Sequence, residues 1–222
     1  MNPMMIGNLF GVPIYVTGSA LFVLAFMVLG GRPSSPAEFA TAALYALLFF
    51  FSILVHEMGH ALVGRRLGLN PRQVVLHGFG GLCEYGRSPR AREGFYSSAA
   101  GPLAGLALGV VTGAVLLLID GRVPQPIPWL IGSLLRLTVF WSLFNLLPMW
   151  PLDGGHVLWH GLRQKIPGGR AWRITRTAGI VTAVLVVAVA WAAPWVFGIF
   201  GFGSTFPIIL AGMSLLQLLQ KP

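Results

Sequence analysis

The sequence predicts an all-α membrane protein of about six transmembrane helices, with a small membrane-embedded β-hairpin or sheet set near a polar site. Three observations predict it. Of 222 residues, 55% are hydrophobic and only 9% charged, with a mean hydropathy of +0.77, whereas a soluble domain carries about 25% charged residues. About six stretches approach the roughly 20 apolar residues that cross a hydrocarbon core as a helix. One connection between them is rich in glycine and flanked by β-prone runs, the pattern of a hairpin.

The first span is expected near 14–30. No Lys or Arg precedes Arg32, and no small-residue cleavage site follows, so this segment reads as a retained helix rather than a signal peptide. The second is expected near 40–64. Between it and the third, residues 65–94 hold Val74-Val75-Leu76-His77 and Leu82-Cys83-Glu84-Tyr85 around Gly78, Gly80 and Gly81. At membrane depth, such backbone is tolerated only when buried in protein or lining a wet cavity. The third span, near 95–119, carries Gly101, Gly105, Gly109 and Gly113 at four-residue spacing, a small-residue stripe that lets another helix approach closely. The fourth, near 127–147, runs into Asn145-Leu-Leu-Pro148-Met-Trp-Pro151, where two prolines stop the helix. The fifth and sixth are placed near 174–196 and 204–219. No connection exceeds about 30 residues, too short for an independent domain, so residues 1–222 read as one membrane domain. Cys83 stands alone and makes no internal disulfide.

The net charge of +9 is a topology signal. Arg65, Arg66, Arg72, Arg87, Arg90 and Arg92 lie between spans two and three, and Arg163, Lys165, Arg170, Arg173 and Arg176 follow span four, while the other connections hold only Arg32 and Arg122. Lys and Arg concentrate in cytoplasmic loops, so 65–94, 149–173 and both termini are expected inside. The basic residues suit anionic lipid. No aromatic-interleaved basic groove is present, and nucleic acid is not an expected partner.

The chemistry concentrates in His56-Glu57-Met58-Gly59-His60, at the inner end of span two. On a helix, i and i+4 side chains share a face, so both imidazoles can reach one ion while Glu57 stays free to act as a base. Ionisable groups inside a span are costly and functional by default. A catalytic zinc commonly takes three protein ligands and keeps a fourth position open. Of six acidic residues, Glu38, Glu84, Glu93 and Asp120 fall in loops or near span ends, which leaves Glu57 and Asp153 as the carboxylates at membrane depth. Spans two and four both end on the inner face, so Asp153 can lie level with the histidines. His56 precedes Arg65 by nine residues, roughly 13 Å of helix, which puts this level just below the inner surface. The structural alternatives are a pair of satisfied core histidines and an Asp that merely forms a turn before Gly154-Gly155.

These residues resemble the site-2 protease family of intramembrane zinc proteases, whose paired signatures are H-E-x-x-H and N-x-x-P-x-x-P-x-D-G. Here they read His56 to His60 and Asn145 to Gly154, with Phe79-Gly80-Gly81 and Ala100-Gly101-Pro102-Leu103 between them. The resemblance covers most of residues 8–160 and is to a minimal form with no PDZ-like or nucleotide-sensing CBS module in evidence. It implies one Zn2+ per chain held by His56, His60 and Asp153, Glu57 as general base, and Asn145 lining the site beside the substrate. It also implies that Gly80 and Gly81 belong to strands that pair with an unwound substrate segment. The expected activity is hydrolysis of peptide bonds in a transmembrane protein near the cytoplasmic face of a bacterial or archaeal cell membrane, as in regulated intramembrane proteolysis. A regulatory membrane partner or an upstream protease would select the substrate. One departure is Gly105, where many members carry Asn.

Four residues stay open at this stage: His156 and His160, a second i,i+4 pair without an intervening Glu; His77 in the hairpin; and Arg136, which snorkels or faces a wet cavity. The alternative function is a transporter or metal-handling protein that uses the same His/Asp cluster for a cation. Glu57 between the histidines argues against it.

Overall fold

A computed structural model describes residues 3–78, 80–119, 121–198 and 205–220. Phe79, Asp120 and position 204, each part of an expectation above, lie outside the described residues.

The chain opens with β1 (Met4–Leu9) and β2 (Val12–Val16), then α1 (Gly18–Gly30) and α2 (Pro36–Arg66). Two further strands follow, β3 (Pro71–His77) and β4 (Gly80–Tyr85), and the rest is helical: α3 (Ala91–Ile119), α4 (Ile127–Asn145), α5 (Asp153–Leu162), α6 (Gly168–Ala192), α7 (Trp195–Gly198) and α8 (Thr205–Gln220). Among the described residues, four helices, α2, α3, α4 and α6, are long and apolar enough to cross a membrane; α1 and α8 are apolar but shorter. Large apolar side chains point outward from them, Phe22 on α1, Leu117 on α3 and Trp191 on α6 among them, as lipid-facing surfaces require. The protein is an integral membrane protein.

The N-terminus corrects the expected first span. Ile14 to Val16, assigned above to a helix, belong to a strand, and the helix starts only at Gly18. Phe10 and Gly11 both take positive φ and turn β1 back on β2 as an antiparallel pair. Thr17 caps α1, its side chain accepting from the Ala20 N–H while its own backbone N–H donates to Leu76 O at 2.9 Å. The hairpin expected around Gly80 is present as β3 and β4, paired antiparallel. It is half of a four-stranded sheet in the order β1-β2-β3-β4, with β2 and β3 parallel through Ile14–Val74, Tyr15–Val75 and Val16–Leu76.

Helix α2 starts on a sharp signal. Ser35 is its N-cap, Pro36 occupies the first turn, and Glu38 N–H donates to Ser35 Oγ while the Glu38 carboxylate accepts from Ser34 N–H at 2.7 Å, a reciprocal arrangement of the capping-box kind. One buried cluster joins the sheet to α2 and α4 through Val12, Ile14, Ile53, Val74, Leu76 and Trp141. A second joins α4, α6 and α8 through Phe140, Phe144, Met149, Ala183 and Ala211. Helix α3 packs against α2, α4 and α5, so the C-terminal parts of α2 and α4, the N-terminal part of α3, α5 and the β3–β4 hairpin converge on one spot.

Candidate metal centre

Helical period places His56 and His60 one above the other on α2, and both are buried, at 2% and 7% exposed. Asp153 reaches them from the first turn of α5, 97 residues away in sequence. Asn145 ends α4, and Pro148 and Pro151 deny the intervening segment a continuous helix; the Trp150–Pro151 peptide is cis. A Cβ on Gly154 would collide with the carbonyls of Leu146 and Leu147, and one on Gly155 with Met149. The two glycines thus let α5 start folded tightly back against that segment, which is what carries the carboxylate inward.

His56 Nε2 lies 2.8 Å from Asp153 Oδ2, His60 Nε2 lies 3.2 Å from Asp153 Oδ1, and the two Nε2 atoms are 3.2 Å apart. Ligands about 2.0–2.1 Å from a tetrahedral zinc stand about 3.3 Å from one another. The two imidazoles thus stand at nearly that spacing, each faces a different oxygen of the Asp153 carboxylate, and one ligand atom from each of the three residues lies within 4.8 Å of the others. Among the described residues, they are the group of His, Cys, Asp and Glu side chains that can hold a metal ion. On the far side of its ring, His60 Nδ1 faces Ser97 O at 2.7 Å. A carbonyl only accepts, so Nδ1 carries the hydrogen and Nε2 presents its lone pair to the centre. Tyr85 Oη–H donates to the His60 carbonyl at 3.1 Å.

The glycine stripe of α3 serves this geometry. A Cβ on Gly101 would enter the space of both Nε2 atoms, and one on Gly105 would strike Ser142 Oγ. The absent side chains thus let α3 lie against the imidazoles and against α4. Pro102, inside α3, has no N–H to offer the Ser98 carbonyl four residues back, and Ser98 lines the cavity at the centre.

That cavity has a volume of about 450 Å³ and is lined by all the residues singled out above: His56, Glu57, His60 and Asp153, with Asn145, Gly80 and Gly81 around them. Glu57, 5% exposed, lies beneath β4, where a Cβ on Gly81 would meet its side chain and where the Cys83 backbone is close to its carboxylate. Asn145 turns its Nδ2 back to Trp141 O at 2.9 Å, leaving its second amide hydrogen and its carbonyl for the cavity. His77, His156 and His160, left open from sequence, all line the same cavity. His156 rests on Trp150 with ring centroids 4.0 Å apart. His160 is buried against Gly94; burial, then neighbouring His156 and Arg163, push its pKa down to about 4. Arg136 is elsewhere, on α4 toward the opposite helix ends. Ser97 and Tyr85 carried no signal in the sequence, since one acts through its backbone and the other depends on where the hairpin folds.

Residues 44–135 match the family described as Peptidase family M50. A putative zinc metalloprotease of Synechocystis sp. is 31% identical across 97% of this chain and 58% of its own length. The putative zinc metalloprotease Rip3 of Mycobacterium tuberculosis is 37% identical across 58% of this chain and 35% of its own. The chain thus spans from about a third to over half of the length of these curated relatives. The solved Site-2 Protease from Methanocaldococcus jannaschii superposes with a TM-score of 0.66 over 96% of this chain and 95% of that one, at 22% identity, which shows a shared fold.

Proposed function

Because the chain belongs to Peptidase family M50, the site-2 protease family, we propose that it is a zinc metalloendopeptidase that cuts transmembrane proteins near the cytoplasmic face, in regulated intramembrane proteolysis. The observation that carries this reading is the meeting of His56, His60 and Asp153 within 3.2 Å of one another, with the Glu57 carboxylate beside them in one cavity.

One zinc per chain would be held by His56, His60 and Asp153; when bound, it supplies Lewis acidity to a carbonyl and lowers the pKa of water toward about 7. Glu57 is the general base: it takes a proton from the attacking water and returns it to the leaving amine. Burial beneath β4 fixes its carboxylate and keeps it from exchanging partners with bulk water. The free amide hydrogen of Asn145 is a donor to the oxyanion that develops on the scissile carbonyl. Gly80 and Gly81 lie at the start of β4, whose outer edge has no strand neighbour among the described residues. An extended substrate segment pairs there by strand addition, which exposes the carbonyls its own helix would hide.

With α1 and α8 counted, six helices span the membrane, the β3–β4 hairpin is embedded at the site, and both termini face the cytoplasm, as the Lys and Arg distribution indicates. A regulatory membrane partner or an upstream protease selects the substrate. The test is Glu57→Gln in the purified chain: zinc should remain at about one per chain while cleavage of a membrane substrate disappears. Metal-dependent ion flux that survives Glu57→Gln would favour the transporter or metal-handling reading instead.

A further inference from the structure

A second groove, of about 600 Å³ and mostly apolar, lies between α1, α2 and α4, away from the metal centre, and Glu38, Thr41, Tyr45, Trp129, Ser133 and Arg136 are its polar and aromatic lining. Nine residues separate Ile127 from Arg136 on α4, and nine separate Pro36 from Tyr45 on α2. The backbones that carry these two side chains therefore stand roughly 13 Å in from the neighbouring N-terminal ends of their helices. At that depth, a cation without a counter-charge is costly and marks a site.

Arg136 is exposed to the groove. Its Nη2 donates to Ser133 Oγ at 3.0 Å, a residue one turn nearer the helix start, so the guanidinium leans toward the membrane surface as a snorkelling side chain does. Among the described residues, no carboxylate lies within ion-pair distance of it, and Ser133 supplies its hydrogen bond. Glu38, at the mouth of the groove, is committed to Ser34 N–H at 2.7 Å, Ser34 Oγ at 2.9 Å and the cap of α2. A guanidinium has five N–H donors in a planar fork matched to phosphate oxygens. Trp129 and Tyr45, with ring centroids 6.1 Å apart, wall the groove with the amphipathic rings that settle at headgroup level.

We propose that this groove holds the phosphate of one anionic phospholipid, from the leaflet that meets the N-terminal ends of α2 and α4. The guanidinium of Arg136 contacts the phosphate, the Tyr45 hydroxyl adds a second donor, and the acyl chains lie along the outward faces of α1 and α4. The site is independent of the peptidase reading, and its occupant comes from charge complementarity: one unpaired cation, in a lipid-facing cleft, with hydrogen-bond donors beside it.

Native mass spectrometry of the full chain, released from nanodiscs of equal phosphatidylcholine and phosphatidylglycerol, tests it. The wild type should retain one phosphatidylglycerol in preference to phosphatidylcholine. Arg136→Gln should reduce that preference about tenfold, the value of one charge-assisted hydrogen bond, and Arg136→Lys should restore most of it. Should Arg136→Gln fail to fold, the double variant Tyr45→Phe, Ser133→Ala decides by the same measure. Equal retention of both lipids by the wild type, an undiminished preference in the variants, or displacement of the lipid by excess inorganic phosphate would each overturn the assignment.

Discussion

His60 Nδ1 donates to the Ser97 carbonyl at 2.7 Å, so the backbone of α3 sets the tautomer of a histidine on α2. One turn further along α3, Gly101 leaves open the space that both Nε2 atoms occupy. A single face of one helix thus orients a ligand from behind and makes room for it in front.

Gly101→Ala is expected to remove zinc without unfolding the helix bundle. The added Cβ falls on both Nε2 atoms, and the imidazoles cannot yield without leaving the shared vertex. Zinc affinity, read by competition with a chromogenic chelator, should fall by about 100-fold or more, beyond what loss of an outer-shell partner costs, while helix content by circular dichroism stays the same. Unchanged zinc affinity would show that α3 does not constrain the centre.

Asp153→Ala should likewise reduce bound zinc well below one per chain. With two imidazoles and no carboxylate, the site lacks the third protein ligand that catalytic zinc usually takes. Metal analysis after dialysis against a weak chelator checks it. Full retention of zinc would place the third ligand elsewhere.

Asn145→Ala separates binding from turnover. If the free amide hydrogen meets the oxyanion only as it forms, kcat should drop about 100-fold with KM and zinc content little changed. A change confined to KM would assign Asn145 to substrate binding instead.

His160 predicts a pH dependence of stability. Burial, with His156 and Arg163 nearby, holds its pKa at about 4 in the folded chain, below the unfolded value near 6.5. Between these values the unfolded chain binds more protons, so stability rises with pH across the window and falls as pH drops from about 6.5 toward about 4. His160→Leu should flatten that part of the profile when thermal unfolding is followed at pH 7 and pH 5. An equal loss in both chains would assign the acid sensitivity to other groups.

Much of the centre was legible because its rules are local. Two histidines four residues apart need only helical period to share a face, and Asp153 was singled out as one of two carboxylates expected at membrane depth, just after the prolines that stop α4. The N-terminus was misread for an equally local reason: Val12-Pro13-Ile14-Tyr15-Val16 is apolar enough to extend the following helix, and hydropathy alone does not separate a buried strand from the end of a span. The Phe10-Gly11 turn and the Thr17 cap were the available signals. The cavity roles of His77, His156 and His160 could not be read from spacing, because they depend on three different elements closing around one space.

The parallel pairing of β2 with β3 has a consequence for traffic at the sheet. Strand β3 has two flanks, and β2 occupies one of them. The remaining open margins of the sheet, on β1 and β4, stand three strand intervals apart, roughly 14 Å, and only β4 borders the cavity that contains Glu57. On the proposed function, a visiting polypeptide would therefore have one berth at the cavity, along β4. Deleting the N-terminal hairpin would bare the β3 flank that β2 covers and, on the same reading, offer a guest a second place to pair.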